Sequence, residues 1–116
     1  MESDTSLVSL IDQLDHLTIK KQVFDQLLKD FSRAQLRLNV SVDSSIESWV
    51  SELINVLGEL YTTDPTRLHQ LLYLIDIPQD FYVALNKLNS SDYGSYFTEL
   101  VLIRTLKKIS YRNQYS

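Results

Sequence analysis

Residues 44–60, SSIESWVSELINVLGEL, decide the fold class. Ile46, Trp49, Val50, Leu53, Ile54, Leu57 and Leu60 recur at three- and four-residue intervals and share one helical face, while Glu47, Glu52, Asn55 and Glu59 largely take the others. The start is marked as well. Ser44-Ser45-Ile46-Glu47 fits a capping box, in which the serine oxygen accepts an amide of the first turn and the glutamate reaches back to the cap. An amphipathic helix of this kind buries its apolar stripe only against other elements, so the flanking sequence has to supply them.

On the N-terminal side, LRLNVSV at 36–42 alternates apolar and polar residues with period two, the pattern of a half-buried strand. No second segment alternates as well. A lone strand is rarely stable, so an extended loop is expected there, with pairing to a second copy through an open edge as the alternative. Further upstream, Leu7, Leu10, Leu14 and Leu17 form the stripe of a first helix, capped by Ser3 or Asp4. The same register continues through Lys21, Phe24, Leu28, Phe31, Gln35 and Leu38, a heptad-like seam from 7 to 38. A break near Leu17 and Thr18 is the preferred reading, because it removes Lys21 from the seam. It makes Thr18 an N-cap and gives a second helix the stripe Ile19, Val23, Leu27, Phe31 and Ala34.

On the C-terminal side, Asp64-Pro65 pairs a capping residue with a proline at the first helical position, where its missing N–H costs nothing. The helix that follows carries Leu68, Leu71, Leu72 and Ile75 and is limited by Pro78. Pro78 is expected to open a short helix, PQDFYVALNKL at 78–88, with Asp80 complementing the dipole of its first turn. LNSSDYGS at 88–95 reads as a polar linker. From about Tyr93 to Arg112 the chain is apolar on nearly every side, through Tyr96, Phe97, Leu100, Val101, Leu102, Ile103, Leu106 and Ile109, and this helix is expected to be central.

Composition agrees with a helical body. The chain has 116 residues, 44% hydrophobic and 22% charged, which suits one folded domain over 1–116. Two glycines and two prolines are too few for the many corners of a sandwich or barrel. The expected architecture is therefore all-α, an irregular antiparallel bundle of four to six helices. The absence of cysteine excludes disulfides, thiolate metal sites and a cysteine nucleophile. MESDTSLVSL lacks the cationic start of a signal peptide, and no apolar run reaches the length of a membrane span, so a cytoplasmic location is expected. The net charge of −4 is unevenly spread: residues 1–16 and 38–66 hold acids without Lys or Arg, whereas cations gather at 20–37 and 104–112.

Chemistry has few places to reside. His16 and His69 are the two histidines, and HExxH, P-loop, GxGxxG and GxSxG patterns are all lacking. Asp12 with Asp15 or His16 has chelating spacing, yet these residues suit the solvated face of the first helix; neither a metal nor a cofactor is expected. His69, Tyr73 and Asp76 stand at i, i+4 and i+7, the raw material of acid–base catalysis. A structural role for Asp76 is preferred, as an acceptor for the amides that open the next segment or as the partner of Arg104. Glu99 sits among apolar residues and is expected to face outward.

The last helix ends in Arg104, Lys107, Lys108, Tyr111 and Arg112, followed by Tyr115, with no acid after Glu99. These five residues are the candidate partner-binding set, since cations beside an aromatic ring suit an acidic surface or a phosphate chain. A solvated helix terminus is the plainer explanation. The expected function is a non-enzymatic helical protein-interaction module, with self-association as one form of it. The alternatives are a nucleic-acid accessory protein acting through the C-terminal helix and a small enzyme built on His69, Tyr73 and Asp76.

Overall fold

Apolar spacing along Leu17–Arg33 (α1) turns Val23, Phe24, Leu27 and Phe31 inward, and the stripe of Ile46–Thr63 (α2) does the same with Ile46, Trp49, Leu53, Leu57 and Leu60. Pro65–Ile75 (α3) and Tyr93–Tyr115 (α4) complete the helices, and Gln79–Phe81 forms a single 3-10 turn. These elements come from a computed structural model that describes residues 17–81 and 93–115. The described residues contain four helices and no strand, an all-α fold. Their buried apolar side chains form one continuous cluster.

α4 is central: it contacts α1, α2 and α3. It runs antiparallel to α1, because Gln22 meets Asn113, Gln26 meets Arg112 and Asp30 meets Lys108. Against α2 it packs at its N-terminal turn, where Gly94 approaches so closely that a Cβ there would lie 2.5 Å from the Ile54 carbonyl oxygen. The Tyr61 and Tyr93 rings stack beside this crossing with centroids 4.0 Å apart.

The C-terminal ends of α1 and α3 use the same device. At α1 the Gln35 amide donates to the Ser32 carbonyl and the Leu36 amide to the Phe31 carbonyl; at α3 the Asp76 amide donates to Tyr73 and the Ile77 amide to Leu72. This bonding pattern is the Schellman motif, and it needs a left-handed residue, here Gln35 at φ 61° and Asp76 at φ 75°. The buried Ile77 and half-buried Leu36 follow, each returning an apolar group to the core.

Several boundaries differ from the sequence reading. Thr18 lies inside α1 rather than capping it. The cap of α2 is Ser45, one residue later than the capping box implied. Its oxygen accepts from the Ser48 amide, so Ser48 rather than Glu47 occupies the third helical position. Residues 36–42, in contrast, form the expected loop, pinned by the indole N–H of Trp49 donating to the Ser41 carbonyl at 2.9 Å and by the Asn39 amide donating to Glu52 at 2.8 Å. Asp64 serves two helices: its amide closes α2 on the Leu60 carbonyl, and its carboxylate accepts from the Arg67 amide to open α3. Beyond Pro78 the described chain makes only the 3-10 turn; the remainder of the expected 78–88 helix lies outside the described residues, as do the Leu7–Leu14 stripe and the proposed helix preceding Leu17.

Candidate functional site

Arg104, Lys107, Lys108, Tyr111 and Arg112 sit at i, i+3, i+4, i+7 and i+8 of α4, so the helix presents them on one side. Across from them α1 contributes Gln26 and Lys29, and the two helices enclose an open groove lined by all seven residues. Among the described residues no acid lines it. Because α1 and α4 are antiparallel, the cationic end of α4 is laid along the middle of α1 rather than projecting into solvent.

Three of the five groove cations are held by partners. Arg104 donates from Nη2 to Asp76 Oδ2 at 2.9 Å, an ion pair whose acid is exposed at the end of α3. Lys108 Nζ lies 3.4 Å from Oδ2 of Asp30, a carboxylate only 1% exposed. Gln26 connects the remainder: its Nε2 donates to both Asp30 oxygens at 3.2 Å, and its Oε1 accepts from Arg112 Nη2 at 2.7 Å. The result is a continuous polar chain from Arg112 through Gln26 and Asp30 to Lys108, which satisfies the buried carboxylate and fixes two cations of the groove. Lys29 and Lys107 are exposed and make no ion pair with a described residue.

The Asp76 carboxylate meets Arg104, while its backbone closes α3 in the left-handed conformation. His69 and Tyr73 reach a second cleft together with Arg33 and Thr66, but Asp76 does not line it. The structure thus brings two of the three candidate acid–base residues together and turns the third toward α4. Tyr73 is 81% exposed. Among the described residues no three His, Asp or Glu side chains converge as a metal site, and the Asp12, Asp15 and His16 group lies outside them. Glu99 is half-buried, and burial together with its carboxylate pushes the Tyr96 phenol above its ordinary range. Tyr96 donates its hydroxyl to the Phe81 carbonyl, fastening the 3-10 turn to α4.

Gln26, Asp30 and Lys29 had not been identified as site residues from sequence. A helical wheel carries a signal for Asp30, which falls between Val23, Leu27 and Ala34 on the inward arc of α1 and is therefore buried. Lys29 carries no such signal, since its place in the groove depends on how α4 lies against α1.

Chemically, the groove offers ammonium and guanidinium donors, carboxamides and one phenol ring. Such a set holds carboxylates or phosphates by charge-assisted hydrogen bonds. Compared with protein-family models, curated proteins and solved structures, the chain matches none. No described helix is long and apolar enough to cross a membrane.

Proposed function

We propose that the protein is a non-enzymatic helical interaction module whose contact surface is the groove between α1 and α4. One observation carries the reading: among the described residues five cations and no acid line a single groove, and three of the cations are already held in place by intramolecular partners. Side chains fixed before contact lose less conformational entropy on binding, and the charges of Lys29, Lys107 and Arg112, which no described acid neutralises, select a negative surface. A cytoplasmic location belongs to the same proposal, in keeping with a cysteine-free chain. Size-exclusion chromatography with light scattering, joined to a pull-down from a lysate of its own source, tests the reading. A retained partner or a defined oligomer supports it; monomer with nothing retained contradicts it.

Tyr111 favours a second reading. It is 67% exposed beside the groove cations, and a ring in that setting can stack a nucleic-acid base while the cations hold phosphates. Filter binding at low and high salt decides between the two, because phosphate contacts make affinity fall steeply with salt.

A further inference from the structure

We infer that the groove between α1 and α4 receives an acidic helix of a partner protein, with carboxylates spaced at i, i+4 and i+7 along one side. The inference rests on the interaction-module reading and specifies its partner. From Arg104 to Arg112 the cations of α4 extend about 12 Å along its axis, a little over two helical turns. A helix laid along that line repeats its side chains at nearly the spacing of Arg104, Lys108 and Arg112, which follow one another at i, i+4 and i+8, so successive carboxylates pass these three cations while Lys107 and Lys29 flank the row. Tyr111 stands within the row and offers its ring to an apolar residue between the acids.

Nucleic acid fits less well. Single-strand binders present successive stacking surfaces, whereas the described residues lining this groove include one aromatic ring. A second copy of the chain is also a poorer occupant. On α2, Glu52 and Glu59 stand seven residues and about 20° apart, but Glu52 is half-buried and already accepts the Asn39 amide, and Glu47 lies about 120° around the helix from Glu59, so the exposed acids do not form a row of three.

The experiment uses the full chain and fluorescence anisotropy of labelled alanine-based helical peptides. One peptide carries glutamates in a single stripe; another has the same composition with glutamates spread around the helix. A third probe is oligothymidylate. Lys29→Glu combined with Lys107→Glu is the groove variant, because neither lysine takes part in a described ion pair, and circular dichroism verifies that it folds. The striped peptide is expected to bind saturably at low salt, several-fold tighter than the spread peptide, and to lose about tenfold or more in affinity to the variant. Equal affinity for the two peptides, or undiminished binding by the variant, overturns the inference. Tighter binding of oligothymidylate assigns the groove to nucleic acid and overturns it as well, as does a dimer that the striped peptide fails to dissociate. If the peptides fail while the chain still retains a protein or oligomerises independently of Lys29 and Lys107, the groove assignment falls and the interaction-module reading stands.

Discussion

Asp30 and Lys108 form an ion pair across α1 and α4, with Nζ 3.4 Å from Oδ2 and the carboxylate 1% exposed. A buried carboxylate with one cation and one amide donor is satisfied as long as both remain. Removing Lys108 leaves that charge buried without its counter-ion. Lys108→Met is therefore expected to cost about 3 kcal/mol of stability, whereas Asp30→Asn combined with Lys108→Met costs less than the lysine change alone. Urea unfolding followed by the single, buried tryptophan, Trp49, measures both. Equal losses in the single and double variants would show that the pair is not coupled. The same contact makes Lys108 a poor choice for testing binding, because its loss weakens the fold.

Gly58 and Gly94 face each other across α2 and α4 but differ in the room they leave. A Cβ on Gly94 would stand 2.5 Å from a backbone oxygen, whereas one on Gly58 would meet the Gly94 Cα at 3.5 Å, an ordinary contact. Gly94→Ala is expected to destabilise by about 2 kcal/mol as the helices are forced apart. Gly58→Ala is expected to be neutral or to stabilise by up to about 1 kcal/mol through helix propensity. Thermal unfolding of the two variants tests the crossing; similar midpoints in both would refute it.

Gln35 holds a left-handed backbone conformation that glycine adopts without a Cβ penalty. Gln35→Gly should raise stability by about 0.5–1 kcal/mol, read from the denaturant midpoint at unchanged slope. A lower midpoint would mean that the Gln35 side chain contributes more than its conformation costs.

Tyr93 and Tyr96 should titrate late. The hydrogen bond with Tyr61 raises the Tyr93 phenol above 10.0, with burial and the Tyr61 charge adding to it; burial and Glu99 raise Tyr96. A native state that keeps these protons longer than the unfolded chain loses stability as pH rises past 10, and retains the whole contribution below it. Phenolate absorbance should show a late-titrating component, and Tyr93→Phe should reduce it by one tyrosine. A single transition at the ordinary value would contradict the packing around α2 and α4.

Helices were legible in the sequence wherever apolar spacing ran without interruption, as in Ile46–Leu60 and Leu68–Ile75, because burial on one side imposes the 3.6-residue period. Caps were less so. Ser44 and Ser45 both suit an N-cap, and the choice falls to Ser45 because Ser44 is occupied in the turn with Ser41. The period-two pattern of 36–42 resembles a strand because alternate residues of an extended loop also face inward: Leu38 is buried and Val40 and Val42 are half-buried against the core. The α4 half of the groove stood in the sequence as a run of cations, but its α1 half did not. Lys29 becomes part of it only through tertiary packing, which one helix's periodicity does not encode.

The most direct measurement compares the wild-type chain with Lys29→Glu/Lys107→Glu in capturing protein from a lysate of its own source, at matched fold and concentration. A groove that serves as the contact surface gives a retained protein with the wild type and loses it with the charge-reversed chain. Identical retention by both chains would contradict the assignment of function to the groove between α1 and α4.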